Sequence, residues 1–160
     1  MAATDGGWIG RDATIEIYID TPSATEPADG PLWLALGGTR GLSISGTWGS
    51  VDVTSRSSAG NFREKIADYL ETSLSTDGVA LRAAASNIKN VREYFHNPTS
   101  GQPCAWIRAT FPEESGATYQ MSYPVLLTSW GDEAPYDAEA TFSLEAEGNG
   151  QPVFTDIAAP

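Results

Sequence analysis

Residues 41–66 carry the sequence GLSISGTWGSVDVTSRSSAGNFREKI, and this stretch indicates the architecture of the whole chain. Leu42, Ile44 and Trp48 fall on one side of an extended segment, with small polar residues between them, so this part is predicted to form a strand. The apolar pattern stops after Val53, and the next eight residues are almost all small and polar. Because such a run cannot cover a hydrophobic core, it predicts a long polar arm between two strands.

The arm ends where apolar residues return. Phe62 and Ile66 flank three consecutive charged residues. Aromatic side chains and arginine are enriched where one chain contacts another. We therefore expect the arm to become ordered against a partner, and a loose hairpin loop is the alternative.

Three groups of residues in this stretch resemble the signature of the major tail tube protein of long-tailed bacteriophages and of the related gene transfer agents. They are Val51-Asp52-Val53-Thr54, Ser58-Ala59-Gly60 and Arg63-Glu64. The chain departs from that signature in having Asn61 and Phe62 where the family commonly has a Gly-Trp pair. The aromatic residue is kept, and the strand pattern downstream to Phe154 also agrees with the family.

The resemblance implies a tail tube fold, which is mainly β, with a β-sandwich, one flanking α-helix and the long polar arm. Six subunits would form a ring, rings would stack head to tail, and one sheet of each subunit would join its neighbours into an inner β-barrel. Residues 49–66 would then be the inter-subunit arm. Its contact residues are predicted to be Trp48, Val51, Asp52, Thr54, Ser55, Arg56, Phe62, Arg63 and Glu64.

The resemblance also implies partners and a location. Besides copies of itself, the protein would contact the tape measure protein, the tail terminator and the distal tail proteins. Double-stranded DNA would pass through the tube without specific binding. The protein would be assembled in the cytoplasm of the bacterial host and be located in the virion tail. A tube-forming protein of contractile tails or of secretion systems, which is similar in fold, is a close alternative.

The chain of 160 residues predicts one domain, spanning residues 1–160. Residues 21–31 contain three prolines and predict an exposed surface loop, and residues 150–160 predict a loose C-terminal tail. No apolar run is long enough to predict a membrane-spanning helix. The one cysteine argues against an internal disulfide framework.

Alternating apolar residues predict about seven strands. They lie at residues 14–19, 32–36, 42–53, 69–76, 103–111, 119–130 and 136–147. Residues 87–96 predict one helix with Ser86 as its N-cap, because apolar residues recur there every three or four positions. Asp77 and Gly78 predict a tight turn, as do residues 131–135. These elements are typical of a β-sandwich with a flanking helix.

The net charge of −12 is unevenly distributed. All nine Lys and Arg residues lie within residues 1–108, whereas residues 109–160 contain nine Asp and Glu and no Lys or Arg. Phosphate binding depends on Lys and Arg, so this composition argues against a nucleic-acid-binding protein. The charge then has two interpretations, which are plain solubility and a surface along which DNA passes without sticking.

The polar sides of the two strands that flank the arm are the candidate lining of the tube lumen, since their residues are small, polar or acidic. These residues are Ser43, Ser45, Thr47, Glu71, Ser73 and Ser75. The acidic stripe within residues 137–147 is a rival candidate. If that stripe faces outward, it only solvates the tube.

The sequence predicts no enzyme, no cofactor and no metal. His96 is the one histidine and lies at the end of the predicted helix, where a partial positive charge is favourable. Cys104 lies in an apolar strand and is predicted to be an inert core residue. An enzyme of unknown type remains a hypothesis without a recognisable set of catalytic residues.

A carbohydrate-binding or adhesion β-sandwich is the alternative function, and it would need an exposed row of aromatic residues. Trp33 and Trp106 fall in apolar strands, so they are predicted to lie in the core. Trp48 and Trp130 fall near strand ends and are predicted to lie at interfaces.

Overall fold

The computed structural model describes residues 13–19, 24–55, 60 and 63–160. Its strands and helix are β1 Thr14–Tyr18, β2 Trp33–Ala35, β3 Thr39–Asp52, β4 Lys65–Val79, α1 Ile88–His96, β5 Cys104–Pro112, β6 Thr118–Glu133, β7 Thr141–Gly148 and β8 Val153–Ile157. The predicted mainly β fold with one α-helix is confirmed. Within these ranges, no helix has the length and apolar character needed to cross a bilayer.

The eight strands form one antiparallel sheet in the order β2-β1-β5-β6-β7-β4-β3, with β8 beside the first part of β6. β6 has 16 residues, and this length lets it pair with β5 up to Leu126 and with β7 from Val125 onward. The predicted sandwich therefore takes the form of one continuous sheet whose two halves share β6. Pro124 lies where β6 changes partner from β8 to β7, a position that suits a residue without an N–H.

Both halves of the sheet bury side chains in one hydrophobic core. Phe142, Leu144 and Ala146 point inward from β7, as the alternation predicts, and each is at most 2% exposed. They belong to the same cluster as Ile17 of β1, at the other end of the sheet. α1 covers this core with three buried side chains, Ile88, Val91 and Tyr94.

The helix begins one residue later than predicted, and Ser86 is not its N-cap. Asn87 takes that position with a φ of 57°, which asparagine tolerates better than most residues. The Asn87 Nδ2 donates to the backbone oxygen of Ala35 at 2.8 Å. Ser86 instead ends a short 3₁₀ turn, where its hydroxyl donates to the backbone oxygen of Ala83 at 2.7 Å.

The proline-rich loop covers the outer face of β5 and β6; its first residues, 21–23, lie outside the described ranges. Arg108 of β5 is 6% exposed and donates to Glu16 of β1 at 2.7 and 2.8 Å and to Asp29 of the loop. The buried hydroxyl of Ser122 donates to Glu26 of the loop. Two carboxylates of the loop are thus held by buried partners on the sheet, although most of its residues are exposed.

The same outer face carries the two tryptophans predicted in the core. Trp106 is 1% exposed and Trp33 is 6% exposed, so their predicted burial is confirmed, although neither belongs to the main core cluster. The Arg108 guanidinium lies 4.2 Å from the centre of the Trp33 ring, within the range of a cation–π contact. Around Arg108 the sheet is therefore buried on both faces, with the core on one side and the loop contacts of Asp29 and Glu26 on the other.

The prediction of a tight turn at Asp77 and Gly78 is wrong, since both residues lie inside β4. Gly78 pairs with Thr39 on one side and with Phe142 on the other. A Cβ atom on Gly78 would lie 2.2 Å from the backbone oxygen of Gly38. Glycine is needed at this position because the backbone of Gly38 approaches too closely to leave room for a side chain. A close backbone approach can therefore require glycine within a strand, even where there is no turn.

Two boundaries near the C-terminus also differ from the prediction. β6 continues to Glu133, and the turn occupies residues 134–140, so the strand predicted over 136–147 begins only at Thr141. The tail predicted over residues 150–160 contains β8, which pairs with residues 118–122 of β6. Phe154 explains this pairing, because its ring stacks on Tyr119 with centroids 6.3 Å apart.

We expect Arg108→Met to lower the free energy of unfolding by about 3 kcal/mol, because it leaves the carboxylates of Glu16 and Asp29 without their cation. Urea unfolding followed by tryptophan fluorescence measures this loss. Arg40→Met is the matched control, since its ion pair with Glu139 is exposed and is worth at most about 1 kcal/mol. Equal losses in the two variants would show that the buried cluster does not hold the loop.

Candidate functional site

The β3–β4 hairpin projects from the body of the protein. The two strands pair from Thr39 and Gly78 to Asp52 and Lys65, with a register shift between Trp48 and Ser50. Near the body their inward residues pack on the core, but residues 46–55 and 63–71 are all exposed. Six residue steps separate Gly46 from Asp52, so the ladder extends about 20 Å beyond the covered part.

The projecting ladder carries most of the exposed large apolar side chains found in the described ranges. They are Trp48, Val51, Val53, Ile66, Tyr69 and Leu70. Trp48 pairs across the hairpin with Leu70, and Val51 pairs with Ile66. Trp48 is 61% exposed and Tyr69 is 80% exposed. The register shift separates the pair of Trp48 and Leu70 from the pair of Val51 and Ile66. Exposed apolar side chains of this kind mark a site of protein contact.

A set of hydrogen bonds closes the hairpin where the arm leaves it. Thr54 donates its backbone N–H at 2.9 Å and its hydroxyl at 2.5 Å to Oδ1 of Asp52. The N–H of Glu64 donates to the Thr54 hydroxyl oxygen at 2.9 Å, and the N–H of Val53 donates to the Glu64 carbonyl at 2.9 Å. We call Asp52, Thr54 and Glu64 the collar. The Thr54 hydroxyl and then its N–H lower the pKa of Asp52 from its usual value of 3.8.

The structure thus brings together three of the arm residues predicted from the sequence and places two more, Trp48 and Val51, on the apolar ladder. Ser55 and Arg63 lie beyond the collar and are exposed. Arg56 and Phe62 lie outside the described residues. The prediction that the nine residues contact another subunit stays a prediction.

The six candidate lumen residues form three cross-strand pairs on one exposed face. Ser43 pairs with Ser75, Ser45 pairs with Ser73, and Thr47 pairs with Glu71. The hydroxyls of Ser45 and Ser73 lie 2.7 Å apart and are hydrogen-bonded. Their position along the lumen of a tube stays a prediction.

β7 extends this face with the residues of the rival candidate. Glu147 pairs with Ser73, Glu145 pairs with Ser75, and Ser143 pairs with Asp77. The two candidates from the sequence are therefore one surface, which we call the polar face. Sequence alternation missed this because it shows which residues share a side of one strand but not which strands are neighbours.

The polar face is acidic. Its carboxylates are Glu71, Asp77, Glu133, Glu145 and Glu147. Apart from Lys65, which pairs with Asp52 in the projecting hairpin, none of the described residues that pair across this face is Lys or Arg. The turn residues Asp137 and Glu139, which the sequence placed in the same stripe, lie outside the ladder.

Two strand edges on this side of the sheet have no partner within the described chain. The outer edge of β3 is free along Thr39–Asp52, because β3 ends the sheet. The edge of β6 becomes free after the last pair with β5, Leu126 with Cys104, and one further hydrogen bond from Leu127 to Pro103. Free edges invite pairing with another chain, and sequence reasoning missed the β6 edge.

Trp130, which was predicted at an interface together with Trp48, packs within the chain. Its ring stacks on Phe142 with centroids 5.5 Å apart, and its Nε1 donates to Asp132 at 2.7 Å. Arg92 donates to the same carboxylate at 2.7 and 2.8 Å. Partial burial acts to raise the pKa of Asp132, but the hydrogen bonds from Arg92 and Trp130 outweigh it and hold the pKa below its usual value.

His96 and Cys104 are the two residues whose catalytic potential the sequence analysis considered. His96 ends α1 and is exposed, and the thiol of Cys104 accepts a weak hydrogen bond from Asn149 at 3.8 Å. In the ranges that the structure describes, no group of three or more His, Cys, Asp or Glu residues is arranged to hold a metal ion.

Comparisons with known proteins agree with the fold. The chain is similar to a chain in the tail of an empty gene transfer agent particle with C6 symmetry, with a TM-score of 0.64, and to a chain in the virion of a native gene transfer agent particle, with a TM-score of 0.65. Each of the two chains is 22% identical to this one, and each match covers 93% of this chain and 99% of the other. The SPP1 tail tube has a TM-score of 0.62 at 11% identity, covering 95% of this chain and 80% of that chain. No curated protein matches by sequence.

The family comparison identifies the role. The family model described as phage tail tube protein matches residues 18–154. The alternative of a carbohydrate-binding or adhesion module finds no support among these matches. Because the family model spans most of the sequence, the chain belongs to the phage tail tube protein family, and its role is a structural one in the tail of a virion.

Proposed function

We propose that this protein polymerises as stacked hexameric rings into the tail tube, which conducts double-stranded DNA during ejection. The observation that carries this proposal is the pair of free edges on the four-stranded half of the sheet, β3 on one side and β6 on the other. The gene transfer agent tail that shares this fold has C6 symmetry, which supports six subunits in a ring.

The two free edges are suited to pair with each other, both in strand direction and in position along the sheet. Strands alternate in direction along β6-β7-β4-β3, so β3 of one subunit is antiparallel to β6 of the next. The ladders place residues 39–45 of β3 level with residues 126–132 of β6. Pairing them around a ring closes an inner barrel and leaves no free edge there.

The polar face is then the lining of the tube. The opposite face of these strands is covered by the core and the rest of the subunit, so only the polar face is free to line a central channel. Its carboxylates repel phosphates, and apart from Lys65 in the projecting hairpin its paired residues include no Lys or Arg to make counterion-releasing contacts with DNA. The tape measure, terminator and distal tail proteins are proposed as further partners because of the family membership.

We expect Ser45→Lys combined with Ser73→Lys to leave tubes intact but to slow DNA delivery, because two cations per subunit would bind phosphates along the channel. Electron microscopy checks the tubes, and DNA transfer per particle measures delivery at several salt concentrations. The variant with glutamine at both positions is the control for size. Unchanged delivery by the lysine variant, or loss of tubes, would count against a channel lined by the polar face.

We expect Thr54→Val to weaken assembly while leaving the fold of the subunit unchanged, because it removes the collar donor far from the core. Sedimentation measures assembly, and thermal unfolding checks the fold. Thr99→Val, in an exposed turn, is the matched control. Equal assembly of the two variants would show that the collar does not present the arm.

The collar should also depend on pH in a defined direction. The pKa of Asp52 is lowered in the folded protein, so the contribution of the collar is present above the ordinary value of 3.8 and is lost as the pH falls through the lower folded value. Protection of the Thr54 amide, measured against the intrinsic exchange rate of an unstructured peptide at the same pH, should therefore persist at pH 5 and be lost only in stronger acid. An unprotected Thr54 amide at pH 5 would contradict the collar hydrogen bonds.

A further inference from the structure

We propose that Asn149 is a site of spontaneous modification, at which the side-chain amide is lost as ammonia and the residue becomes aspartate or isoaspartate. This reaction belongs to the chain itself and does not depend on the proposed assembly. The chain has five asparagines, and only Asn149 is followed by glycine. Because glycine carries no side chain, its backbone nitrogen is open to approach by the preceding side chain.

The reaction needs no reagent other than water. The backbone nitrogen of Gly150 attacks Cγ of Asn149, which forms a new bond between nitrogen and carbon. The bond from Cγ to Nδ2 breaks, and ammonia leaves with the proton that the backbone N–H gives up. Water then opens the resulting five-membered succinimide ring at either of its two carbonyl carbons. The products are aspartate and isoaspartate, and no group is oxidised or reduced.

The link between β7 and β8 leaves the reacting backbone free to move. Gly148 ends β7 and Val153 begins β8, so residues 149–152 belong to no ladder. Asn149 and Gly150 are both exposed, and the N–H of Gly150 donates to no group in the described part of the chain. Ring closure requires rotation about the bond between Cα and the carbonyl carbon of Asn149. No ladder contact within the link opposes that rotation.

The side chain of Asn149 is held only weakly. Its Nδ2 donates to the thiol of Cys104 at 3.8 Å, and sulfur is a weak acceptor. The backbone N–H of Asn149 donates to the carbonyl of Pro124 at 2.8 Å. This second bond fixes the backbone before the reacting residue but not after it. The amide can therefore turn toward Gly150 at little cost.

The fold itself requires the glycine that makes this position reactive. Gly150 has a φ of 142°, a conformation that residues with a side chain rarely adopt. A Cβ atom there would lie 3.1 Å from Cγ of Pro124. A larger residue at position 150 is therefore disfavoured, so the variant that tests the reaction changes Asn149 instead.

Other residues of similar chemistry are protected by their surroundings. Asp77 is followed by glycine, but Gly78 lies inside β4, between β3 and β7. Asp29 is also followed by glycine, and its carboxylate is held by Arg108. Asn90 lies within α1, whose hydrogen bonds fix the backbone. These three positions are therefore expected to react more slowly than Asn149.

The modification changes the chain next to β8. Either product adds one negative charge to a chain whose net charge is already −12, and isoaspartate inserts one further carbon atom into the backbone. Because the link is short, that insertion should displace β8, whose pairing with β6 is accompanied by the stacking of Phe154 on Tyr119. The subunits of a finished virion tail are not replaced, so the products would accumulate as a particle ages.

Storage of the purified protein in mildly alkaline buffer tests the proposal. We expect mass spectrometry of its peptides to find the products first at Asn149, at a rate that rises with hydroxide concentration because the N–H of Gly150 must lose its proton. The same measurement in urea gives the rate for the unfolded chain. We expect the rate in the folded protein to lie within about tenfold of that rate, because the link reacts without unfolding.

Asn149→Gln is the matched control. Its longer side chain would have to close a six-membered ring, which forms far more slowly, so this variant should stay unmodified at position 149. Amide exchange at residues 153–157 should become faster in stored wild-type protein but not in the stored variant. Equal exchange in the two would contradict the displacement of β8.

Two outcomes would overturn the proposal itself. A residue that reacts only after global unfolding is slowed by at least about a thousandfold, so a folded rate that low would show that the fold protects Asn149. Products that appear at Asn90 or Asp77 before Asn149 would show that the link is not the most reactive part of the chain.

Discussion

The unequal pairing of β4 determines the arrangement of the molecule. β4 is paired on both sides along residues 73–79, with β3 and β7, but only with β3 along residues 65–72. Where it has two neighbours, one face is buried in the core and the other joins the polar face. Where it has one, the ladder leaves the body and both faces meet solvent. The body, the polar face and the projecting hairpin therefore follow from where β7 ends at Gly148.

Local patterns predicted the faces of the strands but not their neighbours. The alternation of Ser43, Ile44 and Ser45 was sufficient to separate the polar face from the core, and the spacing of apolar residues located α1 to within one residue. Gly78 was misread because its requirement comes from Gly38, which lies 40 positions earlier in the chain. β8 was missed because it depends on the ring of Tyr119 rather than on its own periodicity.

The candidate site was predictable to a similar degree. The signature residues identified the arm, and three of them meet in the collar, which a sequence pattern alone does not reveal because Glu64 lies ten positions after Thr54. The free edge of β6 required the structure, since it exists only because β5 ends its pairing at Leu126. Recognising that the two candidate lumen linings form one surface required the register between β4 and β7.

The hairpin also bears on the mechanics of a tube assembled in this way. An isolated pair of strands is only marginally rigid, and the register shift between Trp48 and Ser50 adds local twist to it. A closed barrel of many paired strands, by contrast, resists deformation. In the proposed tube of stacked rings, with the hairpins reaching the neighbouring ring, bending would be concentrated at the joints between rings while each ring kept its bore, and a long tail would flex without narrowing its channel.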